Sequence, residues 1–206
     1  MRGLFGGKDM KKTLLLCTGL SGSGKTYFIK NTLPDGLFYS LRSATTRPMR
    51  VGESNGNPYF FVTEDEFEKM NLATHLWVNE AFWTPEKPKW MYGVPESEIT
   101  EHLGENMVYD VIQPRYAKQL IDWFVCNDLH KQYNFRIAYF LPAQNNMQTV
   151  ENRANMPNDI DVRRANTCDP IDFLRAGIDP DYILQPINNL YNPRLAAHIQ
   201  HLQKQR

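Results

Sequence analysis

Three things are scarce in these 206 residues: cysteine, long apolar runs and any excess of charge of one sign. The three cysteines, Cys17, Cys126 and Cys168, form no C-x-x-C pair and no cluster with histidine. That spacing excludes a disulfide framework and a zinc ribbon, and it reads as buried thiols of a reducing compartment. Lysine plus arginine equals aspartate plus glutamate at 23 each, so no global positive field points to nucleic acid as a partner. No apolar stretch approaches the roughly 20 residues that cross a bilayer. Met10-Lys11-Lys12-Thr13-Leu14-Leu15-Leu16-Cys17 mimics the opening of a lipoprotein signal, but an h-region needs about 7–15 apolar positions. The run reads instead as the first core strand behind a loose leader over 1–9, and the expected location is the cytoplasm. The five histidines, His75, His102, His130, His198 and His201, show no metal-ligand spacing.

What is present begins at Gly19-Leu20-Ser21-Gly22-Ser23-Gly24-Lys25-Thr26, which fits G-x-x-x-x-G-K-[ST]. A strand precedes it at Leu14–Cys17. A helix follows from Tyr27 to Leu33 and is stopped by Pro34-Asp35-Gly36. The glycines let successive N–H groups converge on phosphate oxygens at a helix start. Lys25 then reaches the β/γ-phosphates of a nucleoside triphosphate and the Thr26 hydroxyl holds Mg²⁺. Gly19, Ser21, Gly22, Ser23, Gly24, Lys25 and Thr26 are therefore the candidate ATP site.

The rest alternates strand and helix, which predicts a mostly parallel sheet with helices on both faces. Strands are expected at Leu37–Leu41, Tyr59–Val62, Leu76–Trp83, Met91–Val94, Met107–Ile112, Phe135–Leu141 and Tyr182–Leu184. Helices are expected from Glu64 to about Met70, opened by the capping box Thr63-Glu64-Asp65-Glu66, and over Glu96–Leu103. Two more are expected over Pro114–Phe124 and over Pro193–Gln203, the latter capped by Asn192. The segment Arg42 to Pro58 reads as turn.

A second motif lies in that turn. Thr45-Thr46-Arg47-Pro48-Met49-Arg50-Val51-Gly52-Glu53 reads T-T-R-x-x-R-x-G-E, followed by Tyr59 and Phe61-Val62. Arg47 and Arg50, three apart, suit one phosphate monoester, because arginine–phosphate bonds are charge-assisted and directional. Together with the phosphate loop these residues resemble guanylate kinase, from about Lys12 to the C-terminus with decreasing clarity. The resemblance implies a P-loop NTPase three-layer α/β fold. Its core is expected over about 10–41, 103–142 and 178–206, its acceptor-binding subdomain over about 42–102 and its mobile lid over about 143–177.

It also implies roles residue by residue. Ser43, Arg47, Arg50, Tyr59 and Tyr92 of Met91-Tyr92-Gly93 bind the acceptor, and Asp110 stands at the family's acidic position near metal and acceptor. Arg153 and Arg163 resemble the lid arginines that close over the transferring group, and Asn188 lines the adenine pocket. The guanine-reading glutamate falls in register on Val78 or Asn79, with Glu80 displaced beside them. Val94 stands where the family has serine or threonine. Residues 83–90 form an insert whose Trp83 and Trp90 either anchor it or stack on a base.

The implied activity is in-line phosphoryl transfer from Mg·ATP to a nucleoside monophosphate, GMP or dGMP foremost, by a monomer or homodimer with no nucleic-acid or membrane partner. Ribose 1,5-bisphosphate phosphokinases resemble the same family and tolerate an apolar residue at the position of Val94, but generally lack so complete a T-T-R-x-x-R-x-G-E turn. Non-catalytic guanylate-kinase-like modules usually lack the loop lysine and the lid arginines, which stand here as Lys25, Arg153 and Arg163.

Overall fold

A computed structural model describes residues 11–78, 90–111, 113–141, 168–185 and 192–205. Strand β1 (Lys12–Gly19) is buried from Thr13 onward. Strands covered on both faces read as continuous apolar runs, and Leu14-Leu15-Leu16-Cys17 is one. After β1 come α1 (Lys25–Asn31), β2 (Tyr39–Ser40), β3 (Ala44–Thr45), β4 (Phe60–Phe61), α2 (Glu64–Glu68), β5 (Leu76–Val78), β6 (Trp90–Gly93) and α3 (Glu96–Thr100). The chain continues through β7 (Met107–Val111), α4 (Pro114–Cys126), β8 (Tyr133–Phe140), α5 (Pro170–Ala176), β9 (Tyr182–Leu184) and α6 (Pro193–Gln203).

Five strands form one sheet in the order β2-β7-β1-β8-β9, and every neighbouring pair is parallel. Side chains alternate across it, as strand geometry requires. Leu14 and Leu16 join Met107, Tyr109 and Val111 under α4 and α5, against Leu120, Phe124 and Phe173. Leu15 and Cys17 join Val108 and Phe140 under α1 and α6, against Phe28, Leu195 and Ile199. This is the expected three-layer arrangement. A second sheet has the strand order β4-β3-β6-β5. It is mixed: β3 runs parallel to β4 and antiparallel to β6. Gly93 on β6 has no room for a side chain, because a Cβ there would lie 2.5 Å from the Thr74 carbonyl oxygen.

Local signals are reproduced closely. Thr63 and Glu66 form the capping box, and the Asn192 side chain accepts from Arg194 and Leu195 N–H. Three elements escaped the sequence reading, one of them a single 3₁₀ turn at Leu129–Lys131. The expected turn over Arg42–Pro58 contains β3, a two-residue strand held only by its sheet partners. Helix α5, capped by Asp169 and ended by Gly177 at φ +66°, lies within the stretch assigned to a lid. Its Phe173 is nonetheless in the core, 4.8 Å from the Tyr139 ring. One expectation is corrected. Cys17 and Cys168 are buried, but Cys126 is exposed. It ends α4 off the stripe of Tyr116, Ala117, Leu120 and Phe124 that faces the sheet.

The two sheets are tied by a buried carboxylate. Glu98 on α3 is 3% exposed. Its Oε1 accepts from Tyr39 Oη at 2.8 Å, Arg42 N at 3.1 Å and Arg42 Nε at 2.9 Å, and its Oε2 accepts from Arg42 Nη2 at 3.1 Å. Burial and the bond to Glu98 push the Tyr39 phenol up to about 12. Arg42 also lies 4.5 Å from the Phe60 ring. Four donors on one buried acid fix the chain between β2 and β3, just before Ser43. Replacing Glu98 with alanine should cost about 2–3 kcal/mol, because Tyr39 and Arg42 lose their partner. Urea unfolding measures it, and a loss under about 0.5 kcal/mol contradicts the role given to Glu98.

Candidate active site

The phosphate loop leaves β1 at Gly19, whose φ is +147° and whose Cβ, if it had one, would sit 2.6 Å from the Phe140 carbonyl oxygen. Gly22 and Gly24 follow at φ +82° and +95°, a region that side chains disfavour. Gly24 precedes α1, and Phe28 N–H donates to its carbonyl at 2.9 Å. The Lys25 side chain is buried and folds back over the loop. Its Nζ donates to the carbonyls of Gly19 at 2.7 Å and Leu20 at 3.0 Å. Ser23 Oγ is buried without a hydrogen-bond partner among the described residues.

The parallel register of β1 and β7 sets Cys17 opposite Asp110. Asp110 thereby reaches the loop: Thr26 Oγ1 donates to Asp110 Oδ2 at 2.9 Å, and Lys25 Nζ is 3.6 Å from Oδ1. A hydroxyl and a carboxylate side by side are hard oxygen donors of the kind Mg²⁺ takes, with phosphate and water completing its shell. Among the described residues no group of three metal-binding side chains exists, so a fully protein-built cage is not found there. Cys17, beneath the loop, is held as a thiol: burial, then the Asp110 charge, push it well up, against the pull of Lys25.

Arg47 comes from the opposite sheet, just after β3. It is 2% exposed, and its guanidinium donates to the Pro48 carbonyl at 2.7 Å and to Glu53 Oε1 at 2.9 Å. Glu53 Oε2 accepts the Arg50 backbone N–H at 2.7 Å. One carboxylate therefore shapes the turn and sets both arginine positions. Burial works to raise the Glu53 carboxyl, but the hydrogen bonds from Arg47 and from Arg50 N–H outweigh it and hold it below its ordinary range. The Arg47 guanidinium carbon lies 5.5 Å from the Tyr59 ring and 5.4 Å from the Phe61 ring, within cation–π distance. The Tyr59 and Tyr92 rings meet edge-on at 5.7 Å.

The charge of Asp110, which bonds the loop, also reaches Tyr59 of this group. Burial pushes the Tyr59 phenol upward, and the nearby Tyr92, Asp110 and Tyr109 push it further while Arg47 opposes. Tyr92 is likewise raised by burial, against the charges of Arg47 and Arg50. Ser43 is buried, with its Oγ 2.9 Å from Tyr109 Oη. Val94 is fully buried beside Tyr109 and Ala73. Thus Lys25, Thr26 and Asp110 come together, as do Arg47, Arg50, Tyr59 and Tyr92, with Ser43 near them. Asp110, expected toward metal and acceptor, makes its hydrogen bond to the loop. Glu80, Arg153, Arg163 and Asn188 lie outside the described residues. Glu53, Thr74 and Tyr109 had been given no role; only Glu53 carried a signal, as the acid closing T-T-R-x-x-R-x-G-E.

Comparison with known proteins bears on this site. The family model "Guanylate kinase" matches residues 10–120, just over half of the chain. A guanylate kinase of Protochlamydia amoebophila is 41% identical over 121 residues, covering 57% of this chain and 58% of that protein. One of Thermotoga maritima is 36% identical over 106 residues, covering 50% of this chain and 48% of that protein. The matched part is thus about half the length of these curated relatives. The solved guanylate kinase of Anaplasma phagocytophilum superposes with a TM-score of 0.55 at 18% identity, covering 96% of this chain and 87% of that one, which speaks for the fold.

The Arg47–Glu53 pair generates a stability prediction. A carboxyl whose folded pKa is depressed adds stability above its unfolded value, about 4.3, and loses it as pH falls through the folded value. Glu53→Gln should therefore lower stability at pH 7 by about 1–3 kcal/mol. Its deficit should shrink once pH drops below about 4. Urea titrations at the two pH values test this, and a deficit that persists unchanged in acid contradicts the charge-based account.

Proposed function

The chain belongs to the guanylate kinase family, and on that premise we propose that it transfers the γ-phosphoryl group of ATP to a nucleoside monophosphate. GMP or dGMP is the foremost acceptor, giving GDP or dGDP. The observation that supports this reading best is that Asp110 binds the Thr26 hydroxyl of the phosphate loop while its charge also acts on Tyr59, the ring beside Arg47 and Tyr92. A donor triphosphate held by the set Lys25 and Thr26 then meets, end to end, an acceptor monophosphate held by the set Arg47, Arg50, Tyr59 and Tyr92.

A phosphate monoester is largely dianionic near neutral pH, its second pKa being about 6. The attacking oxygen then needs no general base, and catalysis consists of alignment and neutralisation of charge. Gly19, Ser21, Gly22, Ser23 and Gly24 supply the cradle for the donor phosphates. Lys25 leaves the Gly19 and Leu20 carbonyls for the oxygens of the transferring group. Arg47 and Arg50 hold the acceptor phosphate, with the Tyr59 and Tyr92 hydroxyls beside them. Thr26 and Asp110 would hold Mg²⁺, which would offset negative charge on the donor phosphates.

Arg153 and Arg163 are assigned to closure over the reacting phosphates from a lid within 143–177. Asn188 is assigned to the adenine pocket and Glu80 to the guanine edge. The core over 10–41, 103–142 and 178–206 and the acceptor-binding subdomain over 42–102 follow the same reading, as do a cytoplasmic location and a monomer or homodimer with no nucleic-acid partner. Among the described residues no helix is long and apolar enough to cross a membrane.

The test is product analysis of the purified chain with Mg·ATP and a panel of GMP, dGMP, AMP, UMP and ribose 1,5-bisphosphate. ADP and GDP should appear together in equal amounts. Lys25→Ala should lower kcat about 10²–10³-fold with the fold retained, because the lysine acts on charge that develops in transfer. Arg50→Ala should instead raise the KM for GMP by at least about 30-fold and leave that for ATP nearly unchanged. Phosphorylation of ribose 1,5-bisphosphate alone, or a Lys25→Ala chain as fast as the original, overturns the reading.

A further inference from the structure

Arg42 stands on the link between β2 and β3, and its guanidinium is bound in three directions. Toward α3, Nε donates to Glu98 Oε1 at 2.9 Å and Nη2 to Glu98 Oε2 at 3.1 Å. Toward β2, Nη2 also donates to Tyr39 Oη at 2.8 Å. Toward the turn that leads to Tyr59, Nη1 donates to the Gly56 carbonyl at 3.4 Å. The donor of each bond is fixed by chemistry. A guanidinium only donates, so Tyr39 Oη accepts from Arg42 and gives its one proton to Glu98 Oε1. The fork is planar and rigid, so anchoring it on Glu98 and Tyr39 also sets where Nη1 points.

The backbone bonds of the Gly56 turn close on the turn itself. Ser54 and Asn57 exchange them at 3.0 Å and 2.9 Å, and Gly56 N–H donates to the Tyr59 carbonyl at 2.7 Å. Asn55 Oδ1 accepts the Phe61 N–H at 2.8 Å. These bonds shape the turn and join it to Tyr59, but none of them holds it against α3 or β2. The bond from Arg42 does. Gly56 has φ +83°, and a Cβ there would lie 3.8 Å from Arg42 Nη1, so this backbone stands directly against the guanidinium. On the far side of the turn the Tyr59 ring meets Tyr92 at 5.7 Å and lies 5.5 Å from the Arg47 guanidinium carbon.

We propose that Arg42 is a positioning residue for the acceptor: by holding the Gly56 carbonyl it seats Tyr59 and keeps that hydroxyl on the acceptor's phosphate. The inference rests on the monophosphate-kinase reading, in which Tyr59 binds that phosphate. It goes beyond the tie between the sheets, because the two roles need different parts of the side chain. A lysine at this position still offers Glu98 a cation, but as one point of charge on a flexible stem. It cannot serve Glu98 and Gly56 together. The fold is then kept and the seating of Tyr59 is lost.

Binding calorimetry with GMP on the full chain tests this without requiring turnover. Arg42→Lys should weaken GMP binding about tenfold, the scale of one hydrogen bond to a charged group, and leave ATP affinity within about twofold. Tyr59→Phe should weaken GMP binding by a similar factor. In the Tyr59→Phe background, Arg42→Lys should cost no more than about twofold further, because both changes remove the same contact. General loosening of the acceptor sheet would instead multiply the two losses. Should Arg42→Lys fail to fold, Glu98→Gln takes its place with the same coupling expected, since its amide N–H₂ meets the donors of Arg42 and Tyr39. GMP affinity unmoved by Arg42→Lys and Glu98→Gln overturns the inference, and so do losses that multiply with Tyr59→Phe. A chain that shows this coupling but phosphorylates no monophosphate supports the inference and contradicts the proposed reaction. A chain that binds no GMP contradicts both.

Discussion

The parallel pairing of β1 with β7 is the constraint on which the site depends. It fixes Cys17 opposite Asp110 and so carries an acid from one strand to the Lys25–Thr26 corner of a loop that begins on the next. A shift of one residue would send Asp110 to the other face, because side chains alternate along a strand. The register is protected by burial: Leu14, Leu15, Leu16, Val108 and Met107 are each at most 1% exposed. Core packing and the geometry of the candidate site are here the same requirement. Beyond the strands, backbone curvature at Gly19, Gly22 and Gly24 turns the chain from sheet to helix within five residues.

The acceptor side is built differently. Its strands are short, and partly buried ion pairs hold the turns between them: Arg42 with Glu98, and Arg47 with Glu53. Such pairs contribute little net stability, since desolvation offsets attraction. They do impose geometry, because breaking either leaves a charge stranded. Arg47 in particular is held ready by Glu53 and by the Tyr59 and Phe61 rings. An acceptor phosphate would therefore meet a guanidinium already ordered, which reduces the entropy lost on binding.

Much of this was legible in the sequence because it is local. The loop glycines, the Thr63 box, the Asn192 cap and the buried run at Leu14 each depend on a handful of neighbouring residues. The strand–helix alternation then implied the parallel sheet. What escaped was set by distant partners. Strand β3 has two residues and exists through β4 and β6. Phe173 gives no sign that it will meet Tyr139. Cys126 looked like its two buried counterparts but falls on the exposed side of α4. Tyr109 read as a core aromatic, and only the fold brings its hydroxyl to Ser43 across 66 positions. The reading of Glu80, Arg153, Arg163 and Asn188 stands on the motif alone.

The central claim is that donor and acceptor phosphates are held end to end across Asp110. A bisubstrate compound, adenosine and guanosine joined through a chain of five phosphates, measures this directly. If the two sets face each other, one molecule fills both, and the second contact is made at high effective concentration. Titrated in the presence of Mg²⁺, it should bind at least about 100-fold more tightly than ATP or GMP alone. Binding no tighter than that of ATP contradicts the account.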